Sequence, residues 1–175
     1  MAMPAKRSSQ PPERPRTGSA ADRDNPGVIA PPPLLFAAPL AVGLVLQSVV
    51  LDGGMGLPGL FRWPIGSLAI LAGLAIIGLA VERFARAGTN PEPWKPATTV
   101  VADGIYRLSR NPMYLGMALA YAGIAVLADS ALTLALLLPA LLIVDFGVIR
   151  REEAYLERKF GARYRNFTAQ TRRWL

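Results

Sequence analysis

The sequence predicts an all-α integral membrane protein with four transmembrane helices. Of its 175 residues, 52% are hydrophobic, and these concentrate in four stretches between Pro33 and Ile149. The 19 basic and 12 acidic residues concentrate mainly in the segments around those stretches. A compact soluble domain has difficulty accommodating this composition, whereas segregated apolar stretches of about 18 residues are long enough to cross the hydrocarbon core of a bilayer.

The N-terminal segment differs in composition from the rest of the chain. Residues 1–33 contain eight of the sixteen prolines and five basic residues, with few large apolar side chains. Such a segment buries too little apolar surface to offset the entropy of ordering. We therefore expect a disordered, proline-rich basic tail, followed by a membrane domain over residues 34–175.

Turn-forming residues separate the four predicted spans. The spans cover residues 34–51, 64–81, 112–128 and 131–149, and the turn at residues 128–130 makes the last two a helical hairpin. Arg62 and Trp63 form an interfacial pair ahead of the second span. Within that span, Gly66, Gly73 and Gly78 would permit close helix contacts, although the sequence does not indicate an oligomeric state.

The distribution of positive charge predicts the orientation of the chain. Eighteen of the nineteen basic residues lie in the tail, in the loop 82–111 or after Ile149, and only Arg62 lies elsewhere. The positive-inside rule places the charged side in the cytoplasm and requires an even number of spans. Both termini are therefore predicted to be cytoplasmic, at the inner membrane if the protein is bacterial. The loop 82–111 is long for so small a protein and is expected to be functional.

The segment 150–175 predicts a helix and tail lying on the membrane surface. Leu156 and Phe160 are four residues apart on one helical face, and Gly161 follows as a helix cap. Aromatic residues then alternate with arginines, which is typical of an interfacial segment.

The chain lacks both cysteine and histidine. Their absence excludes disulfides, thiolate sites, cysteine nucleophiles and the commonest general base and metal ligand. We expect no metal site and no nucleic-acid partner. Any chemistry must use carboxylates, arginine, tyrosine, hydroxyls, backbone groups or a borrowed cofactor.

Two polar groups flank the predicted hairpin. Asn111 and Pro112 suit the N-cap and first position of a helix, and with Arg107 and Arg110 nearby this helix start favours an anion such as a carboxylate or phosphate. Alternatively, the arginines contact lipid phosphates and Asn111 only caps the helix.

Acidic residues form the second group. Glu152 and Glu153 either accept hydrogen bonds from a ligand or pair with arginines at the interface. Asp145, inside the fourth span, either lines a cavity or pairs with an arginine.

Two motifs resemble one family of enzymes. GIYRLSRNPMYLG at 104–116 and EEAYLERKFGARYRNF at 152–167, with the hairpin between them, resemble the isoprenylcysteine carboxyl methyltransferase and phospholipid methyltransferase superfamily. The resemblance covers about residues 82–175. It implies S-adenosylmethionine as cofactor, bound between the loop before the third span, the start of that span and the acidic pair.

The resemblance also implies site residues. The implied cofactor contacts are Thr98, Thr99, Val100, Val101, Tyr106, Asn111, Pro112, Met113, Tyr114, Glu152 and Glu153. Arg150 or Arg151 lies nearest to the position of the family's arginine that meets the substrate carboxyl group. One departure is Asn111, where the family commonly has histidine.

The expected function is methyl transfer to a lipidic or membrane-partitioned acceptor, as in carboxyl O-methylation. Alternatives are phospholipid N-methylation, a sterol-reductase-like activity, a small four-helix transporter that uses Asp145, and a purely structural membrane protein. A transporter would not need the motif-bearing loop or the C-terminal helix.

Overall fold

The computed structural model of the chain describes residues 24–49 and 54–175. Within these ranges the secondary structure is helical and contains no strand, which confirms the all-α class. A 3₁₀ turn covers Gly104–Arg107, and a π-helical turn covers Asp145–Ile149. The described residues form six α-helices, which are α1 (Pro32–Val49), α2 (Gly59–Arg86), α3 (Pro112–Leu127), α4 (Ala131–Val144), α5 (Arg150–Phe160) and α6 (Ala162–Gln170).

Three helical stretches in the described ranges are long and apolar enough to cross a membrane. They are α1, α2 and the continuous helix Ala131–Phe160, which comprises α4, the π-helical turn and α5. With 16 residues, α3 is apolar but rises only about 24 Å, against a hydrocarbon core of about 30 Å. The number of spans and the cytoplasmic orientation therefore stay predictions.

The helix bounds differ from the predicted ones at several ends. The first helix begins at Pro32, inside the predicted tail, and the predicted end of the first span lies in residues 50–53, outside the described ranges. The second helix has 28 residues because the mainly apolar residues 59–63 extend it at the start, and residues 82–86, three of which are charged, extend it at the end. An ion pair between Arg86 and Glu82, one turn apart, supports that last turn.

Glycines allow α2 and α3 to pack closely. A Cβ built on Gly116 would lie 2.6 Å from the carbonyl oxygen of Gly73, and one built on Gly123 would lie 2.6 Å from that of Gly66. The two glycines on each helix are seven residues apart, so they lie on one helical face. Small residues at these positions bring the backbones together, as is common between membrane helices.

The other helices enclose an apolar core, while much of the outer surface is apolar too. The buried cluster draws on α1, α3, α4 and the π-helical turn and contains Phe36, Tyr114, Ala118, Tyr121, Val144, Val148 and Ile149. On α2, Leu68 is 69% exposed and Leu71 is 64% exposed. Because contiguous apolar surface is unfavourable in water, this exterior fits contact with lipid tails.

At the end of the bundle where α3 meets α4, polar contacts close the turn. The Ser130 hydroxyl accepts a hydrogen bond from the Thr133 N–H at 3.1 Å and caps α4. Asp129 lies within 3.6 Å of Arg62, the single basic residue that the charge distribution assigned to the far side of the membrane. These contacts fix the start of α2 against the α3–α4 turn.

The glycine contacts predict a matched pair of variants. Gly116→Ala is expected to lower the free energy of unfolding by about 1–3 kcal/mol, because the added methyl group meets the Gly73 carbonyl. Gly78→Ala is the control, since a Cβ at Gly78 has no atom within 4 Å. Thermal unfolding in detergent measures both, and an equal unfolding midpoint for the two variants would contradict the packing.

Candidate active site

A cleft that is partly open to solvent lies at the end of the bundle where α2 ends and α3 begins. Its walls come from the loop after α2, the start of α3, and helices α5 and α6. Nine residues predicted as cofactor contacts line it: Thr99, Val100, Val101, Tyr106, Asn111, Met113, Tyr114, Glu152 and Glu153. The fold therefore brings two motifs that are distant in sequence to one cleft.

Two predicted cofactor contacts do not line the cleft. The Thr98 N–H donates to the Thr89 hydroxyl at 2.9 Å, and the Thr98 hydroxyl donates to the Gly88 carbonyl at 3.2 Å. Thr98 therefore joins two parts of the loop after α2. Pro112 is fully buried at the first position of α3. Pro112 therefore helps to begin α3 but does not contact the cleft.

The Tyr106 hydroxyl is a donor without a partner among the residues that the structure describes. Its ring packs edge-on against Phe84, with 5.5 Å between the ring centroids, and the residue is 4% exposed. Burial, and secondarily the charge of Glu152, raises the pKa of Tyr106, so the hydroxyl keeps its proton. A buried donor in the wall of a cleft is suited to a ligand oxygen or nitrogen.

Asn111 occupies the N-cap position of α3 but does not cap it with its side chain. Its Nδ2 instead donates to the carbonyl oxygen of Arg173 at 2.9 Å. The expectation of a side-chain cap was therefore wrong, because the amide finds a partner in the C-terminal tail. Asn111 still stands in the wall of the cleft, where Met113 and Tyr114 follow it.

The two adjacent glutamates have different partners. Glu153 accepts hydrogen bonds from Arg173 Nε at 3.1 Å and Nη2 at 2.7 Å, and Arg110 Nη1 lies 3.3 Å from its carboxylate. Glu152 accepts a hydrogen bond from the Tyr114 hydroxyl at 2.7 Å. Within residues 24–49 and 54–175, no Lys or Arg forms an ion pair with Glu152. Glu152 is thus the carboxylate available to a ligand.

Arg150 and Arg151 lie outside the cleft. Arg150 Nε is 3.0 Å from Asp145 Oδ2, and its guanidinium lies 4.0 Å from the centroid of the Phe146 ring. Arg151 Nη1 donates to the Gly27 carbonyl at 2.9 Å. Their predicted role in substrate positioning stays a prediction. Asp145 is paired with Arg150 and Arg173, which agrees with the ion-pair alternative for this acid.

The cleft includes residues that the motifs did not single out as ligand contacts. An apolar and aromatic wall comes from α5 and α6, and a proline-rich rim comes from the loop after α2. These residues are Tyr155, Leu156, Tyr164, Phe167, Asn90, Pro91, Glu92, Pro93, Lys95 and Ala97. The aromatic alternation after Gly161 was a sequence signal for this wall, although it was interpreted as contact with the membrane surface.

An N-terminal strap, residues 24–30, crosses the mouth of the cleft. The Tyr155 hydroxyl donates to Asp24 Oδ1 at 2.8 Å and accepts from the Ala97 N–H at 3.1 Å, so it joins the strap to the loop after α2. The Ile29 N–H donates to the Gly147 carbonyl at 3.3 Å, and Pro26 lines the cleft. The strap therefore covers α5 and narrows the entrance.

Hydrogen bonds from Lys159 and Tyr155 lower the pKa of Asp24. A group whose pKa is lower in the folded state contributes stability that is present above its unfolded pKa and is lost as the pH falls through the folded value. The attachment of the strap through Asp24 is therefore present at neutral pH and is lost only in acid.

The described chain thus combines helices that are long and apolar enough to cross a membrane with a cleft at one end of the bundle. The sequence model of the phospholipid methyltransferase family matches residues 61–163, which is more than half of the chain. The chain therefore belongs to the phospholipid methyltransferase family, and the resemblance seen in the sequence is confirmed. Membership supports a membrane methyltransferase as the general class of this protein.

One relative shares part of the sequence. An uncharacterized protein of Haemophilus influenzae is 35% identical over 63 residues, which cover 36% of this chain and 79% of that protein. No solved structure matches the chain.

The strap predicts a local effect of Asp24→Ala. The substitution is expected to speed amide hydrogen exchange in residues 25–30, because it removes the carboxylate that holds Tyr155 and Lys159. Glu157→Gln is the matched control, since Glu157 is exposed on α5 and its contact with Arg165 is 3.9 Å long. An equal change of the exchange rate in both variants would show that Asp24 does not hold the strap against α5.

Proposed function

We propose that this protein transfers a methyl group from S-adenosylmethionine to a lipidic or membrane-partitioned acceptor. The observation that carries the proposal is the cleft that joins the two family motifs and that presents, among the described residues, Glu152 without an ion-pair partner and the Tyr106 hydroxyl without a hydrogen-bond partner. Family membership supports the methyltransferase class. The identity of the cofactor and the class of the acceptor go beyond family membership and belong to the proposal.

The residues of the cleft fit S-adenosylmethionine by their chemistry. Glu152, which lacks an ion-pair partner in the described chain, suits a hydroxyl or ammonium group, and the Tyr106 hydroxyl suits a hydrogen-bond acceptor. Val100, Val101 and Phe167 provide apolar surface for a purine ring. The cleft therefore offers both the polar and the apolar contacts that such a cofactor needs.

When bound, the cofactor supplies a methyl group that is already activated by a positively charged sulfur. A bond forms between the acceptor atom and the methyl carbon while the carbon–sulfur bond breaks, so the protein mainly has to align the two partners. An ionised carboxylate acceptor needs no base at neutral pH, since its reference pKa is about 4. This suits a chain without histidine or cysteine.

Phospholipid N-methylation is a second candidate that the family description supports equally well. An amine acceptor must lose a proton on methylation, and Glu152 or water would accept it. Chemical stability of the product separates the two reactions. Methyl esters release methanol in mild alkali, whereas N-methyl groups do not, so alkaline treatment of lipids labelled from radioactive cofactor identifies the acceptor class.

The arrangement in the membrane also belongs to the proposal. We infer that α3 completes a bundle of four spans and that the cleft faces the cytoplasm, at the inner membrane of a bacterium. The concentration of basic residues on one side supports this orientation. A water-soluble cofactor then enters the cleft from the cytoplasm, and the acceptor reaches it from the bilayer.

Calorimetry in detergent tests the proposal. Wild-type protein is expected to bind S-adenosylhomocysteine, with affinity reduced about 10- to 150-fold by Glu152→Ala and about 2- to 10-fold by Tyr106→Phe, because each variant loses a polar contact with the ligand. Tyr121→Phe is the control, since Tyr121 also has a buried hydroxyl without a partner in the described chain but lies in the core.

Two outcomes would contradict the proposal. Folded wild-type protein that binds neither S-adenosylmethionine nor S-adenosylhomocysteine would remove the cofactor. Equal affinity in wild type, Glu152→Ala and Tyr106→Phe would show that the cofactor binds outside this cleft.

A further inference from the structure

The last residues of the chain reach across the back of the cleft. Arg173 binds both carboxylate oxygens of Glu153, through Nε at 3.1 Å and Nη2 at 2.7 Å. Arg110 Nη1 lies 3.3 Å from Glu153 Oε1, and the Glu153 side chain is 19% exposed. A two-point contact of this kind fixes the orientation of both groups, which a single ion pair does not.

The backbone of the same tail binds the segment that leads into α3. The Arg173 carbonyl oxygen accepts from Asn111 Nδ2 at 2.9 Å and from the Ser109 hydroxyl at 3.3 Å. The Arg110 N–H donates to the Arg172 carbonyl at 3.0 Å. Ser109 is 1% exposed and Asn111 is 8% exposed, so these hydrogen bonds are shielded from water.

Arg173 therefore connects two walls of the cleft without lining it. Its side chain holds α5 through Glu153, and its carbonyl holds the start of α3 through Asn111. In the cleft itself, the Tyr114 hydroxyl on α3 donates a hydrogen bond to Glu152 on α5. The relative position of Tyr114 and Glu152 thus depends on the contacts made behind them.

The ion pairs also distinguish Glu153 from Glu152. Two guanidinium groups compensate Glu153, whereas Glu152 has no ion-pair partner within the described ranges. A carboxylate already engaged by two arginines has little capacity left for a ligand. Glu153 and Glu152 therefore have different functions, although they are neighbours in sequence.

We propose that Arg173 and Glu153 are positioning residues, which set the spacing of the α3 start and α5 and so place Glu152 and Tyr114 for ligand binding. This inference rests on the proposed function of the cleft. It assigns Glu153 to the tail rather than to the cofactor, and it gives the C-terminal tail a direct part in forming the site.

A double-mutant cycle tests this assignment. Affinity for S-adenosylhomocysteine is measured by calorimetry in detergent for wild type, Arg173→Gln, Glu153→Gln and the double variant. Arg173→Gln is expected to lower affinity on the order of tenfold, and the double variant is expected to bind no more weakly than Arg173→Gln alone, because both changes break the two-point contact between Arg173 and Glu153. Each change also removes one longer contact, that of Arg173 with Asp145 or that of Glu153 with Arg110. Two effects that multiply in the double variant would overturn the proposal, since Glu153 would then act independently of Arg173.

Further variants exclude effects of net charge and of misfolding. Arg165→Gln removes the same charge from an exposed position on α6, and it is expected to leave affinity unchanged. Arg173→Lys keeps the charge but loses the two-point contact, so it is expected to recover only part of the affinity. If Arg173→Gln does not fold, the affinity of Arg173→Lys tests the proposal in its place. Full affinity in Arg173→Lys and Arg173→Gln would overturn the proposal.

A measurement without ligand separates this inference from the proposed function. Arg173→Gln is expected to speed hydrogen exchange in residues 109–114, which the tail holds through Arg110 and Asn111. Wild type that shows no binding while the variant exchanges faster would reject the proposed function and retain the role of Arg173 in ordering these residues. Unchanged exchange would reject that role.

Discussion

Glu153 lies between the guanidinium groups of Arg110 and Arg173, and this ion-pair cluster joins three parts of the chain that are far apart in sequence. One part leads into α3, another begins α5, and the third follows α6. Close packing of α2 on α3 joins the middle of the bundle, and the ion-pair cluster joins α5 and the tail to the segment that leads into α3. Loss of Glu153 would leave the Arg110 guanidinium, which is 16% exposed, without an ion-pair partner in the described chain.

The cluster also determines what the cleft presents to a ligand. With Glu153 engaged by the tail, Glu152 is the carboxyl group in this part of the wall that has no ion-pair partner in the described chain, next to the Tyr106 and Tyr114 hydroxyls. Burial raises the pKa of Glu152 to about 7. The cleft adjoins helices whose outer surfaces are apolar enough for lipid. In our account, a polar cofactor and an apolar acceptor meet at this boundary, which is the arrangement that methylation of a membrane-bound molecule requires.

Local sequence patterns predicted most helices and the cleft motifs, whereas contacts between distant segments were not predictable. Pro112 begins α3 as expected, with Asn111 at the N-cap position, since the preference of proline for the first turn depends on local backbone geometry. The same asparagine binds the carbonyl of Arg173, and Asp24 binds Tyr155. No periodicity encodes these pairings, because they depend on how the helices pack. The predicted continuation of the helix after Ile149 is present as α5, whereas the π-helical turn at Asp145–Ile149 was not predicted, because no local sequence pattern distinguished it from α-helix.

Hydrogen exchange with and without S-adenosylhomocysteine tests most directly the central claim that the cofactor binds between the α3 start and α5. Binding at this place is expected to slow exchange in residues 99–101, 106–114 and 152–156 and to leave α1 and the middle of α4 unchanged. Protection confined to α1 and α4, or no protection at saturating ligand, would contradict this claim.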